Sequence, residues 1–274
     1  MIGFMHWKPD PGLYPPYLRR RIARGRGVRE GASYIPWLKV RDVPSRGTSS
    51  VVKGIVVDRT HHLLSELEAT YFYLIERRAQ TVDILEQWPI LDIDGTMQLS
   101  RQWGVRHPFK GPYPEPFTVD LLIAEQTTAG PRFRAASIKT PDDANNPAIR
   151  QRLAIEHAWC KARGIPWTLV DTRQFNRVLL ANLRFLRGWY RHRFTPSAGR
   201  ATQFAHAFSK GYETNVPLVD LISRTAVRLR MNVGSAQDLF RYCGWTERVA
   251  VSLTDQITLD RPLVLRRKVP HADL

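Results

Sequence analysis

The chain has 274 residues, 43% of them hydrophobic and 24% charged, a globular composition at a length that suits two domains. Its 41 Lys and Arg against 25 Asp and Glu leave a net charge of +16, an excess that points to a polyanionic partner. Nothing in it resembles the run of roughly 18 apolar residues that a membrane span needs, or a signal peptide. Cys160 and Cys243, the two cysteines, have no metal-ligand spacing, so a reduced cytoplasmic protein is expected.

The charge is unevenly placed. Residues 1–60 hold 12 basic and 4 acidic residues, and residues 173–274 hold 17 and 7. Between them, residues 61–172 hold 12 basic and 14 acidic. Basic flanks can hold phosphates. Acids gathered inside a polyanion-binding chain suggest a metal site, because bare carboxylates would repel the substrate.

Residues 1–34 read as an irregular basic arm, with Gly25 and Gly27 arguing against a long helix. Residues 45–50 read as a Ser/Gly/Thr-rich loop. His61 to Ala79 is the first predicted helix, since Leu63, Leu64, Leu67, Tyr71, Leu74 and Ile75 recur at helical spacing. Val82 to Leu91 reads as an extended segment broken at Pro89. Phe117 to Ala124 and Phe133 to Lys139 read as strands joined by a turn at 127–131. Pro147 to Arg163 is a predicted helix, with Pro near its start and Gly164 after its end. Ile165 to Val170 is a short apolar strand, expected in the centre of a sheet. This order fits an α/β or α+β fold. Beyond residue 173, helices are expected at Val178–Tyr190, Pro217–Leu229 and Ala236–Cys243, with a hinge at 193–200. Strands are expected at Val249–Leu253 and Leu263–Arg267. Helices followed by a short hairpin outline a winged helix.

Glu68 lies on the packed face of its helix, with Leu64, Tyr71, Phe72 and Ile75 as helical neighbours. A carboxylate there needs a metal, an ion pair or a proton. Ser65 followed by Glu68 also matches a capping box, a purely structural role. Asp120 interrupts the apolar run P-F-T-V-D-L-L-I-A, and Asp is a poor strand residue. Lys139 ends the next strand, in A-S-I-K. A carboxylate on one strand and a lysine at the end of its neighbour outline the PD-(D/E)xK nuclease pattern. Carboxylate oxygens there hold magnesium, and the lysine positions water or neutralises charge. The position two before the lysine should be acidic and is Ser137, so Glu68 is the natural donor of the missing carboxylate. Glu156 is read as pairing with Arg152 one turn earlier, the other reading being a base that touches the site. His61, His62 and His157 are read as structural or exposed. Phosphate loops, nucleophile elbows and zinc motifs are not found.

Several stretches resemble the TnsA family, the endonuclease subunits of heteromeric bacterial transposases. They are S-Y-I-P-W-L-K-V at 33–40, V-P-S at 43–45, H-H-L-L-S-E-L-E at 61–68 and D-I-L-E-Q-W-P-I-L at 83–91. H-P at 107–108, T-V-D at 118–120, I-K at 138–139 and I-P-W at 165–167 follow in family order. The resemblance implies a restriction-endonuclease-like mixed-sheet domain over 1–172, including the basic arm, and a winged-helix-like DNA- or partner-binding domain over 173–274. It implies nicking of transposon 5′ ends on double-stranded DNA, beside a TnsB-type DDE transposase and a TnsC-type AAA+ ATPase. The family's catalytic residues fall on Glu68, Asp120 and Lys139. Mg²⁺ or Mn²⁺ ligands would be Glu68, Asp120 and the carbonyl of Ile138. The family glutamine near the metal aligns with Ser137, a departure. Two other readings stay open: a restriction or repair nuclease acting alone, and a non-catalytic assembly subunit bound to DNA.

Overall fold

The structure is a computed structural model, and it describes residues 14–42, 48–193 and 195–266. The V-P-S stretch at 43–45 and Arg267, the end of the last predicted strand, lie outside these residues. The chain divides into two compact units, with the break between Gln174 and Phe175.

The first unit opens with α1 (Pro16–Ala23), a short helix where an irregular arm was expected. Pro at its start fits the first turn, where no amide partner is needed. The helix stops before Gly25, whose φ of +83° favours a residue without a side chain. An antiparallel pair follows, β1 (Ser50–Lys53) and β2 (Thr60–Leu63), and then α2 (Glu66–Glu76). The predicted helix therefore starts five residues late. His61 and Leu63 are buried from a strand, and Ser65 caps the helix that the sequence pattern had begun earlier.

The sheet is built from β3 (Thr81–Ile90), β6 (Phe117–Thr127), β7 (Gly130–Ile138) and β8 (Trp167–Val170), in the order β3-β6-β7-β8. The first two pairings are antiparallel, and β7–β8 is parallel. β6 and β7 form the expected hairpin, closing at Thr127 opposite Gly130. Pro89 does not break β3; it pairs opposite Thr118. β3 is an edge strand, where a missing amide hydrogen is tolerated. β8 is also at an edge rather than in the centre, and of its residues only Val170 is buried. Between β3 and β6 lie α3 (Ile93–Gln102) and a small hairpin, β4 (Phe109–Lys110) with β5 (Tyr113–Pro114). After β7 come α4 (Pro141–Asn145) and α5 (Pro147–Ala162). Leu85, Trp88, Val119, Leu122, Ile155 and Trp159 lie in the core that seats α5 on the sheet. β6, a central strand with almost every residue buried, runs largely apolar without alternation for that reason.

The second unit contains α6 (Arg177–Arg187), α7 (Ala198–Lys210), α8 (Leu218–Arg228) and α9 (Val233–Trp245). The expected hinge at 193–200 runs into α7, which starts at Ala198 with Ser197 as its cap. α9 packs against the other three helices, with Phe240 against Phe208 at a ring distance of 5.1 Å. The two predicted C-terminal strands reduce to one antiparallel bridge, Val251 with Leu265, flanked by amide bonds from Ser252 to Val264 and from Arg266 to Ala250. The buried amide of Asn182 ties the segment between them, donating to the carbonyls of Leu253 and Asp255 and accepting from the amide of Ile257. Among the described residues, no helix is long and apolar enough to cross a membrane.

Candidate active site

Glu68, Asp120 and Lys139 arrive from α2, β6 and the end of β7, and the fold brings them together. Ser65 caps α2 by accepting from the Glu68 amide at 3.1 Å, and its hydroxyl donates back to Glu68 Oε1 at 3.3 Å. Glu68 Oε2 accepts from the Leu64 amide at 2.9 Å. This is a capping box shifted by one residue, so the structural role of Glu68 and its place in the cluster coexist. The cap fixes the rotamer of a carboxylate that then faces inward, buried.

Asp120 Oδ2 accepts from Lys139 Nζ at 2.6 Å and from the Ile138 amide at 2.7 Å. Lys139 Nζ also donates to the Ile138 carbonyl at 3.1 Å. Thr172 Oγ1 donates to the Lys139 carbonyl at 2.7 Å and holds the end of the strand. Ser137 Oγ donates to Glu156 Oε2 at 2.7 Å. The Glu156 carboxylate thus does not turn outward to Arg152, whose guanidinium lies over the Phe117 ring at 5.8 Å. It turns inward, and it occupies from α5 the space where the strand offers only a serine.

Gln87 is a further member. Its neighbours Glu86 and Trp88 pair with Leu121 and Val119, so Gln87 stands across from Asp120. Its φ is +47°, a left-handed conformation costly for a residue with a side chain, and it is buried. Its Nε2 donates to Glu68 Oε2 at 3.4 Å, a long bond, and its carbonyl accepts from the Trp37 amide at 3.2 Å.

Beneath Gln87 lies a buried ionic network. Arg59 donates to Asp83 Oδ1 at 2.6 Å, to Glu86 Oε2 at 3.1 Å, to the carbonyl of Gly31 at 3.1 Å and to the carbonyl of Ile84. His61 Nδ1 bonds Glu86 Oε2 at 2.8 Å. The network joins β2, just before α2, to β3, and so fixes where Glu68 stands relative to Gln87. It accounts for the E of the E-Q-W-P stretch and for one histidine of the H-H pair. His157, by contrast, is exposed and stacks on Trp167 at 5.3 Å.

The electrostatics favour a cation. Burial, and next the charge of Asp120, raise Glu68 to about 7, against the bond from the Leu64 amide. Burial and Asp120 likewise raise Glu156 to about 7, against Ser137 and Lys139. Burial alone would lower Lys139, but Asp120 outweighs it, and the ammonium stands above the ordinary lysine value. Three buried carboxyl groups therefore share one ammonium. Among the described residues, no three His, Cys, Asp or Glu side chains form a ready cage for a metal ion. Two carboxylates and the Ile138 carbonyl nevertheless offer hard oxygens only. That donor set suits Mg²⁺, which keeps several of its waters and binds few protein ligands.

A mixed sheet with covering helices and carboxylates gathered with a lysine at one end is the build of an α/β nuclease. Residues 78–172 match the family model described as TnsA-like endonuclease N terminal. The chain is 32% identical, over 169 residues, to the Transposon Tn7 transposition protein TnsA of Escherichia coli, a match covering 62% of this chain and 61% of that relative. Over residues 78–172 the chain is thus similar to the N-terminal domain of TnsA-like endonucleases. The match spans a little under two thirds of that relative's length.

Proposed function

We propose that this chain is a Mg²⁺- or Mn²⁺-dependent DNA endonuclease that nicks the 5′ ends of a transposon. Its partners would be a TnsB-type DDE transposase and a TnsC-type AAA+ ATPase. The observation that carries the proposal is the convergence of Glu68, Asp120 and Lys139 from three separate elements into one buried cluster. Asp120, Glu68 and the Ile138 carbonyl would hold the metal. When bound, the metal polarises the scissile phosphate and makes an attacking water more acidic. Lys139, kept charged by Asp120, serves as a donor that orients water and screens charge developing on the phosphate, not as a base. Ser65 and Gln87 hold the Glu68 carboxylate in one rotamer. Glu156, seated behind Ser137, keeps the Lys139 ammonium drawn into the cluster.

The C-terminal unit is proposed as a winged helix that meets DNA or a partner. Support comes from α7, α8 and α9, with a short turn between the last two. The antiparallel bridges Pro217–Pro262 and Val251–Leu265 lie where strands of such a fold would pair.

The test is strand-specific nicking. The chain, its transposase and ATPase partners, transposon-end DNA and Mg²⁺ are combined, and products are resolved on a denaturing gel. Asp120→Ala is expected to lose the 5′ cuts alone and keep the 3′ cuts. Unchanged 5′ cuts would assign the chemistry to another protein.

A further inference from the structure

We infer that the β4–β5 hairpin, with α1 beside it, is a duplex-DNA contact surface in which Phe109 and Tyr113 lie against the nucleotides and flanking cations hold phosphates. The nuclease reading enters only in the choice of partner.

The hairpin is rigid by construction. Phe109 pairs with Pro114 and Lys110 with Tyr113, leaving Gly111 and Pro112 as the two turn residues. Gly111 has φ +59°, and proline cannot follow it into positive φ, which selects a type II′ turn. The base is pinned by His107, which is buried. Its Nε2 bonds Thr96 Oγ1 at 3.0 Å, its Nδ1 bonds the Pro108 carbonyl at 3.0 Å, and its ring meets Phe117 edge-on at 5.0 Å. This explains the H-P stretch, which the catalytic cluster does not use. On one side α1 supports the hairpin: Tyr17 packs on Tyr113 at 5.8 Å, and Lys110 lies over the Tyr17 ring at 5.6 Å.

So braced, the hairpin still leaves Phe109 48% and Tyr113 42% exposed. Large aromatic side chains held out in water on a fixed frame mark a contact surface. The exposed charge around it is basic, and Glu115, just after the hairpin, is half-buried and lies 4.0 Å from Arg21. Lys110 on the hairpin, Arg19, Arg20 and Arg24 on or just after α1, and Arg106 just before the hairpin are all exposed. Cations interleaved with aromatic rings suit a duplex, phosphates on the first and sugars and groove edges on the second. The position is also right. The hairpin leads into β6, and Asp120 stands six residues beyond Pro114, roughly 20 Å along an extended chain.

The experiment uses the full chain and a fluorescein-labelled duplex of arbitrary sequence in EDTA, so that no cutting occurs. F109A/Y113A is expected to bind roughly tenfold more weakly, and K110E to weaken binding and flatten its salt dependence. Melting temperatures are compared to show that each variant folds. A duplex carrying 5-iodouracil, irradiated with the unaltered chain, is expected to cross-link within 109–113. Wild-type affinity in both variants, or cross-links only elsewhere, would overturn the inference. So would normal binding with loss of 5′ nicking in the full assembly, which would make this face a protein contact. A chain that binds through this hairpin and never nicks would refute the nuclease reading and leave the surface standing.

Discussion

Glu86 has no exposed surface, yet it accepts from Arg59, from His61 and, through Oε1, from the His62 amide at 3.2 Å. Replacing it by Leu would strand the Arg59 guanidinium, itself buried, with Asp83 and two carbonyls as partners. Leaving one member of a buried pair uncompensated costs about 3–5 kcal/mol, a large share of the roughly 5–15 kcal/mol that holds a domain folded. Arg59→Met alone is expected to cost a similar amount, because Glu86 and Asp83 then face each other across apolar surface. The double variant removes both charges and should recover about 1–3 kcal/mol relative to the sum of the single losses. The two units can unfold separately, so the assay is amide hydrogen exchange on β3, which reports this unit alone. Additive losses would refute the coupling and assign the network no more than packing. The pH dependence has a definite sign. Burial would raise Glu86, but His61 and Arg59 hold it below its ordinary value of 4.5. Its stabilisation is therefore present above pH 4.5 and is lost as pH falls through the lower folded value. Glu86→Gln should shrink that acid-side loss.

Ser65→Ala is expected to cost about 1 kcal/mol as a lost cap and to weaken Mg²⁺ binding measured by calorimetry, since Glu68 loses its brace; unchanged metal affinity would separate cap from site. Glu156 is the opposite case to Glu86. Its value of about 7 means that it stabilises the metal-free fold below pH 4.5 and that this support is lost as pH rises through 7. Glu156→Gln in EDTA should therefore gain on the order of 2 kcal/mol at alkaline pH, while losing nicking; a variant less stable at high pH would contradict the burial argument. Gln87→Gly should relieve about 1 kcal/mol of left-handed strain and still cut roughly tenfold more slowly. Wild-type rates in that variant would remove Gln87 from the site.

The strongly patterned elements were legible. The β6–β7 hairpin and α5 fall where periodicity and turn residues put them, because apolar strands and a Pro-started, Gly-ended helix speak locally. The misses have physical causes. The apolar residues of 61–64 fit a helical face as well as a strand, and only the buried partner Glu86 decides between them. Pro89 reads as a break unless the edge position of β3 is known. β8 reads as central because its residues are apolar, while parallel pairing to β7 alone leaves it at the rim. α7 was hidden behind Pro196 and Gly199, yet Ser197 gives it an ordinary cap.

The site divides along the same line. Glu68, Asp120 and Lys139 could be named in advance because each breaks a local rule: a carboxylate on a packed face, an acid inside an apolar strand, a lysine ending one. Glu156 breaks none, since an acid one turn from an arginine is ordinary helix surface. Its burial depends on α5 lying over Ser137, a contact between residues far apart in the chain. Gln87 offers even less, because a left-handed φ leaves no mark in a sequence when the residue is not glycine. What could have found it is the logic of the E-Q-W-P stretch. Glu86 is committed to Arg59 and His61, and Trp88 to the core beside Trp159. Glu86 and Trp88 are thus both fixed, and the residue between them is left facing Asp120. A strand that spends buried charge to hold one strained amide across from a carboxylate is arranged for that carboxylate's environment. The Arg59 network therefore supports the candidate site, although none of its residues is among the proposed metal ligands.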